Sequence, residues 1–554
     1  MKKKIHLILL IIILLSAFTI RIFDLDWGLR EEVSYYSQIP DEPYSYSSAF
    51  NIKPLEGELE PGRWALIKGP GYYSFIGLLN DIFEKTNIKS LYFPPAHTLT
   101  ESKIFHYNLL FARTITILFS VATILLIYLL SNILFKRKSI GLIAAATYSI
   151  IAMEVHLAKV FIPDIPLTFL TTLSLFFAIK ASSSTQKKGN KLLIYSSLVC
   201  GLATAVKLTG VIAGVSILYA FIVLNRKAKV KEFISLTSKM AVVFLIGLVI
   251  GMPSLLFEPQ EVIAAIMQQF QHQSYSVNSP QIPQIIFIFT NILLYSAGIL
   301  LSLSFFIAPF YLFWKHRKKL EIRIILIFVI VSFVSLVMAS PGRISEHYLL
   351  PLLPILTIVT ALMLDRLIQK KKLIGGITIS LFFIYNLLFL YNHLDLIRQE
   401  FVTDQFTEYA EKNLPDLYSD TPMITFFANW KDKVSYPATP EFPAYSMSLK
   451  QIGLEIPTDY FLISDINFIQ EVKKKRNKEM IDFLNRLGSE EKYQAPKVFK
   501  KSDKLPYLVP KKDLFYEDSE PYYGPLMATV KQKLYLYKRK GLPTSNSLKR
   551  DTSA

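Results

Sequence analysis

Two short acidic motifs carry the side chains best suited to proton transfer. In the first, Pro40-Asp41-Glu42-Pro43, two adjacent carboxylates follow a long apolar run. One carboxylate could accept the proton of a hydroxyl group while its neighbour orients a sugar or binds a cation. The same residue types are common in solvated turns, which is the alternative interpretation. In the second motif Asp164 begins a later apolar run, and capping of a helix N-terminus would by itself explain an Asp there.

Four basic residues lie close to the ends of apolar runs. Lys207 stands at a turn between two such runs, where a charge is costly and is often functional. Arg343 and His347 are four residues apart, and the forked guanidinium of Arg fits a phosphate group. Lys68 precedes a Gly-Pro-Gly turn and could meet a lipid phosphate. The alternatives are lysines that extend to the membrane surface and a histidine that is simply packed.

Long apolar runs must position these residues, and they exclude a soluble enzyme. Hydrophobic residues make up 52% of the 554 residues and charged residues 19%, whereas soluble domains carry about 25% charged residues. The mean hydropathy is +0.35. Because a helix needs about 20 apolar residues to cross a bilayer, the sequence predicts eleven membrane-spanning helices. They lie near 5–23, 107–134, 139–155, 164–181, 192–207, 209–224, 240–257, 284–313, 323–340, 347–365 and 373–391.

The surplus of positive charge indicates the orientation of these helices. The net charge is +18, and most of the surplus lies in short clusters after every second apolar run, such as 136–138 and 370–372. That distribution is typical of cytoplasmic loops, so it predicts a bilayer and no nucleic acid as the partner. The protein then lies in the cell membrane or inner membrane. Its N-terminus is on the cytoplasmic side, and its C-terminal tail is on the extracytoplasmic side. No small-residue cleavage site follows the first run, which we interpret as an uncleaved anchor.

This topology divides the chain into a membrane domain, 1–391, and an extracytoplasmic domain, 392–554. The first outer loop, 24–104, is long and acidic, with an interfacial helix predicted over 72–83. A polar outer loop is predicted over 258–283. Short strands are predicted at 423–427, 460–463 and 533–537, with helices over 400–413 and 466–487. The predicted fold is therefore an α-helical multi-pass membrane protein with a C-terminal α/β domain.

Five motifs together resemble those of the GT-C membrane glycosyltransferases, over residues 1–391. Within this class, the sequence resembles the protein O-mannosyltransferases and the lipid A aminoarabinose transferases. The C-terminal tail resembles neither group. The motifs are Asp41-Glu42 in the first outer loop, Lys68-Gly69-Pro70-Gly71-Tyr72-Tyr73, Pro163-Asp164-Ile165-Pro166-Leu167, Gly201-Leu202-Ala203-Thr204-Ala205-Val206-Lys207, and Arg343 followed by His347-Tyr348-Leu349-Leu350-Pro351.

The resemblance implies that a sugar moves from a polyprenyl-phosphate carrier to a hydroxyl of a protein, lipid or glycan, on the outer face and with inversion. It implies that Asp41 is the catalytic base and Glu42 an orienting or acceptor-binding partner, with Asp164 as a second acid of the cavity. The implied phosphate cradle consists of Lys207, Arg343 and His347, with Lys68 as a weaker candidate.

No cofactor and no metal site are predicted. The single cysteine, Cys200, offers no metal cluster, and no motif indicates a divalent cation, although one is compatible with the chemistry. Two other function classes stay open at this point. A transporter or flippase of a lipid-linked glycan would use a similar multi-pass body, but it would favour internal symmetry and charges near the midplane. A glycan polymerase or ligase would use a lipid-linked oligosaccharide donor.

Overall fold

The computed structural model describes residues 2–29, 41–58, 62–86, 88, 99–274, 288, 293–338, 346–398, 409 and five short strands near the carboxyl terminus. The chain forms two compact units, Met1–Tyr391 and Asn392–Ala554. The first unit is built from helices, and the five strands belong to the second.

The helices follow the apolar runs of the sequence. They are α1 Lys2–Ile22, α2 Asp41–Phe50, α3 Gly62–Lys68, α4 Gly71–Lys85, α5 Glu101–Phe135, α6 Lys138–Ser149, α7 Ala152–Leu157, α8 Asp164–Ser182, α9 Gln186–Val206, α10 Ile212–Leu224, α11 Val230–Gly251, α12 Ser254–Phe257, α13 Pro259–Ser274, α14 Leu294–His316, α15 Leu320–Met338, α16 Leu353–Lys370 and α17 Lys372–Arg398. Short 3₁₀ helices lie at Pro54–Glu56, Leu208–Val211 and Glu346–Leu352.

Within the described residues, nine helical segments are long and apolar enough to cross a membrane. They involve α1, α5, α8, α9, α11, α14, α15, α16 and α17, and each overlaps one of the eleven predicted runs. The chain is therefore an integral membrane protein. The other two runs, 139–155 and 209–224, are shorter helices, so the count of eleven crossings stays a prediction.

Hydrogen bonds to neighbouring helices show in which direction residues 139–155 and 209–224 run through the bundle. Glu42 binds both Arg113, in the first half of α5, and the backbone N–H of Phe161, just before α8. Because α5 and α8 thus begin at the same end of the bundle, here named the Asp164 end, α6 and α7 return the chain to it. At the opposite end, Asn225 after α10 donates a hydrogen bond to Asn190 at the start of α9. The segment from the end of α9 through α10 therefore also runs the length of the bundle.

Glycines allow α9 and α11 to pack with their backbones in contact. A β-carbon built on Gly201 would lie 2.1 Å from the carbonyl oxygen of Phe244, and one on Gly247 would lie 2.2 Å from that of Leu198. Small residues commonly permit such close approaches between helices in a bilayer. This contact fixes α9, whose last turn leads into Lys207.

Helices α2, α3 and α4 form a layer at the Asp164 end. The helix predicted over 72–83 exists as α4, and its position at the interface stays a prediction. Its first two tyrosines are buried in the protein. The protein supplies their polar partners: the Tyr72 hydroxyl lies 2.7 Å from Thr116 Oγ1, and Ser45 donates to the Tyr73 hydroxyl. Burial raises the pKa of the Tyr72 phenol, so this hydroxyl keeps its proton.

The polar loop predicted over 258–283 is helical over its first part, where α13 runs to Ser274. Val262 and Ala265 on α13 are buried against Leu66 of α3. The glutamines of this segment, such as Gln268 and Gln269, are good helix formers, and a single apolar stripe is enough to dock α13.

Helix α14 is interrupted near its beginning. Gly298 has φ 78° and ψ 167°, a conformation that requires glycine. The break releases the N–H of Ile299, which donates to the Tyr385 hydroxyl of α17 at 2.9 Å. A neighbouring helix thus satisfies the freed backbone group, as the interior of a membrane protein demands.

The second unit contains a five-stranded sheet in the order β2-β1-β3-β5-β4. The strands are β1 Ile424–Phe426, β2 Tyr445–Ser446, β3 Tyr460–Ser464, β4 Lys497–Lys500 and β5 Lys533–Lys538. β1 pairs in parallel with β2 and β3, whereas β5 pairs antiparallel with β3 and β4. The three predicted strands are present. The predicted helices, 400–413 apart from residue 409 and 466–487, lie outside the described residues, so the α/β class stays a prediction.

Candidate active site

A buried ion pair holds the first acidic motif. Glu42, on the first turn of α2, and Arg113 of α5 are both fully buried. Arg113 Nε donates to Glu42 Oε1 at 2.9 Å and Nη2 donates to Oε2 at 2.5 Å. This forked geometry is the strongest arrangement that the two groups can form. Asp41 begins α2, and its side chain lies outside the described part of the chain.

The same arginine also gathers the segment that leaves α1. Arg113 Nη1 donates to the carbonyl oxygens of Leu25 and Trp27 at 2.7 and 2.8 Å. A second buried cation, Lys159, donates to the carbonyl oxygen of Phe23 at 2.5 Å. Two cations from the bundle thus fix three carbonyls of residues 23–29.

Phe161 connects the first acidic motif to the second. Its backbone N–H donates to Glu42 Oε1 at 2.7 Å. Its ring packs edge-on against Tyr72 and Tyr73, with centroid distances of 5.4 and 5.7 Å. Because Phe161 lies only three residues before Asp164, Glu42 helps to fix the position of that second carboxylate.

Asp164 forms an ion pair with Lys207, two of the residues that the motifs singled out. Lys207 Nζ lies 2.6 Å from Asp164 Oδ1, and the side chains are only 15% and 6% exposed. The ammonium group also lies 4.9 Å from the centroid of the Tyr348 ring. A carboxylate and an aromatic face are both favourable surroundings for an ammonium ion, so this cation has a defined position.

The Gly-Pro-Gly turn brings Lys68 to the same place. Gly69 has φ +109°, and a β-carbon on it would lie 2.2 Å from the carbonyl oxygen of Val206 and 2.9 Å from Cα of Lys207. A β-carbon on Gly71 would meet the backbone of Ala205 at 2.8 Å. The turn therefore lies directly on the backbone that carries Lys207, as only glycine allows.

The charges of Lys68 and His347 also act on the Asp164 carboxylate. The His347 ring packs on that of Tyr348 with centroids 4.4 Å apart. The structure thus gathers Asp164, Lys207, Lys68 and His347 at one end of the bundle. Arg343 lies outside the described residues. Among the described residues, no group of three or more His, Cys, Asp or Glu side chains is placed to hold a metal ion.

A second buried ion pair is one that no motif of the sequence indicates. Arg21 and Glu154 are fully buried and paired, and Arg21 Nε also donates to Ser120 at 2.7 Å. This pair joins α1 to α5 and α7. Arg113 was missed as well. The available signal was a charge inside or beside a predicted span, which is costly unless paired, but the partner of each charge is distant in sequence.

Comparison with known proteins agrees with this architecture. Residues 99–257 match the model of the dolichyl-phosphate-mannose-protein mannosyltransferase family. The structure resembles the crystal structure of ArnT from Cupriavidus metallidurans bound to undecaprenyl phosphate, with a TM-score of 0.50 and 13% identity. The similarity covers 95% of this chain and 97% of that one. The chain therefore has the fold of this ArnT structure.

Two further structures are similar to this helical bundle. ArnT from Cupriavidus metallidurans in the apo state has a TM-score of 0.48 at 11% identity, over 95% of this chain and 97% of that one. The apo oligosaccharyltransferase of Archaeoglobus fulgidus has a TM-score of 0.46 at 13% identity, over 77% of this chain and 62% of that one. The sequence matches no curated protein. The resemblance that the five motifs predicted is confirmed.

Proposed function

We propose that this protein is an integral-membrane glycosyltransferase that moves a sugar from a polyprenyl-phosphate carrier to a hydroxyl acceptor. The observation that carries the proposal is the cluster at the Asp164 end, where Lys207 pairs with the buried Asp164 carboxylate and the charges of Lys68 and His347 also act on it. Cations held in a partly dehydrated site stabilise the charge of a leaving phosphate. The family match includes both Asp164 and Lys207, and the ArnT structure of the same fold holds undecaprenyl phosphate.

The reaction proposed is a single displacement. The acceptor oxygen attacks the anomeric carbon, and the bond from that carbon to the phosphate oxygen breaks. The electron pair leaves with the phosphate, and the acceptor proton passes to a carboxylate. One displacement inverts the anomeric configuration. Because a phosphate monoester has a second pKa near 6, the leaving group needs cations more than it needs an acid.

We propose that Asp41 accepts the proton of the acceptor hydroxyl and that Glu42 has a positioning role. Both oxygens of Glu42 accept hydrogen bonds from Arg113, and one of them also accepts the Phe161 N–H. A carboxylate so engaged is suited to holding the start of α2 in place. Its neighbour Asp41 is then presented at the outer face of the membrane, where the positive-inside pattern predicts this end to lie.

Substitution of Asp41 tests the assignment. Asp41→Asn keeps the size of the side chain but cannot take a proton, so we expect transfer to fall by about 10²–10⁴-fold, as loss of a general base does. The measurement is transfer from a purified polyprenyl-phosphate sugar in a membrane preparation. Binding of the donor should stay near that of the wild type.

The matched control is Asp81→Asn, which removes a carboxylate from α4 in the same layer. Asp81 binds the Leu55 N–H and Lys85, so this variant should transfer at close to the wild-type rate. Turnover of Asp41→Asn at the wild-type rate would remove Asp41 from the role and leave Asp164 as the next candidate. A wild-type protein that neither binds the donor nor transfers sugar would overturn the proposed function itself.

A further inference from the structure

The cation best placed to hold a donor phosphate already has a carboxylate partner. Lys207 Nζ lies 2.6 Å from Asp164 Oδ1, and the pair is largely shielded from water. An ammonium group that already has a counter-charge attracts a second anion less than a lone ammonium group does. Any phosphate that reaches Lys207 must therefore share the cation with Asp164 or displace it.

The backbone on both sides of this pair is held by contacts with neighbouring residues. Lys207 leaves α9 in an extended conformation, pressed by the turn at Gly69. Asp164 begins α8, and Thr168 donates to its carbonyl oxygen at 2.8 Å. Because both backbones are held by these contacts, we expect the exchange of partners to come from rotation of the side chains. The long lysine can rotate while its ammonium stays near the Tyr348 ring, 4.9 Å away.

We propose that Asp164 is a built-in substitute for the carrier phosphate, and that Lys207 exchanges between the two anions during each turnover. This inference rests on the proposed function. With no carrier bound, Asp164 neutralises Lys207. As the sugar leaves, the phosphate changes from a diester with one negative charge to a monoester that carries about −1.5 to −2 at neutral pH. The growing charge draws Lys207 away from Asp164.

The return of Lys207 to Asp164 then helps to expel the product. A carrier monophosphate held by a cation without a competing carboxylate would dissociate slowly, because charge-assisted hydrogen bonds to phosphate are strong. Asp164 offers a replacement partner at the moment of release. In this account Asp164 is a positioning residue that acts through Lys207, and its effect appears as weaker binding of the carrier.

The experiment measures binding of undecaprenyl monophosphate to the full-length protein in nanodiscs of neutral phospholipid. Asp164→Asn keeps the shape of the side chain but releases Lys207 from its counter-charge. We expect the Kd for the monophosphate to fall on the order of tenfold, a typical coupling between two ligands of one group. Inhibition of transfer by the added monophosphate should strengthen in parallel.

Three further variants separate the exchange from a general effect of charge. Lys207→Gln should weaken binding, and Asp164→Asn added to it should restore nothing, because the gain requires Lys207. Asp81→Asn removes one negative charge from the same layer without touching Lys207, and it should leave the Kd unchanged. Thermal unfolding shows which variants are folded.

Several outcomes would overturn the exchange. They are unchanged or weaker binding by a folded Asp164→Asn protein, tighter binding that persists without Lys207, and an equal gain in Asp81→Asn. In each case binding by the wild type would leave the proposed function intact. A wild type that fails to bind the monophosphate in the same assay, and also fails to transfer sugar, would overturn the proposed function together with the exchange.

Discussion

At the scale of single residues, the buried pair of Glu42 and Arg113 organises the Asp164 end. It joins α2 to α5, and through the Phe161 N–H it reaches the segment before α8. Removing water from two charges is expensive, so such a pair stabilises a fold only when its geometry and further hydrogen bonds are good. Here Arg113 also binds two backbone carbonyls, which meets that condition.

Breaking this pair from one side should destabilise the protein. Glu42→Gln leaves Arg113 buried without its counter-charge, which typically costs about 3–5 kcal/mol. We expect a clear loss of thermal stability in detergent, accompanied by loss of transfer. Adding Arg113→Gln removes the uncompensated charge, so the double variant should be more stable than the sum of the two single losses predicts. Strictly additive losses would show that the pair contributes no coupling.

The sequence predicted some residues of this site and not others. Asp164, Lys207, Lys68 and His347 were singled out, and the structure brings them together. Arg113 and Tyr348 were given no role, although Tyr348 stood inside one of the motifs. The reason is physical: the pairing of Arg113 with Glu42 spans 71 positions, and no local pattern encodes so distant a partner. The roles assigned to the site residues stay predictions.

At the scale of elements, the turn between α3 and α4 sets the distance between Lys68 and Lys207. Gly69 combines a left-handed backbone with a contact that leaves no room for a side chain. Turns of this kind are predictable from Gly and Pro. The surface against which such a turn packs is not predictable from the sequence, because it depends on how α3, α4 and α9 pack.

Gly69→Ala tests that contact. The added β-carbon would meet the carbonyl oxygen of Val206, so the turn must lift away from Lys207, and we expect transfer to fall by at least about tenfold. Strain at the left-handed backbone adds about 1–3 kcal/mol. The measurements are transfer and thermal unfolding in detergent.

Gly57→Ala is the matched control for backbone strain. Gly57 also has a positive φ, +87°, but nothing lies within 4 Å of its β-carbon position. Both variants carry the strain, and only Gly69→Ala carries the collision. Equal effects on transfer in the two variants would show that the close approach to Lys207 is unimportant.

At the scale of the whole molecule, the apolar runs were the most informative part of the sequence. Nine of eleven predicted spans appear as long apolar helices within the described residues, because length and composition suffice to recognise a membrane helix. The runs 139–155 and 209–224 fold into shorter segments, in which a turn at Ile150 or a 3₁₀ helix at Leu208–Val211 interrupts the helix. Hydropathy alone does not register such interruptions.

Orientation in the membrane is tested by labelling cysteines. Cys200 is the single cysteine of the sequence, so Cys200→Ala provides a background without thiols. In that background, an impermeant reagent applied from outside should label Ser502→Cys and leave Ser183→Cys unlabelled, because the cation clusters predict the tail outside and the loop after α8 inside. The reverse pattern would place the Asp164 end in the cytoplasm and would contradict the proposed side of transfer.

The length of α5 has a consequence for the depth of the site. Its 35 residues extend about 52 Å at 1.5 Å per residue, whereas the hydrocarbon core is about 30 Å thick. Arg113 stands about 33 Å from the Phe135 end by the same rise. If that end is anchored among the headgroups by its basic neighbours, the pair of Glu42 and Arg113 lies at the boundary between acyl chains and headgroups. Bilayer thickness therefore becomes a variable of the reaction, because a thicker membrane would submerge this boundary and a thinner one would lift it into water.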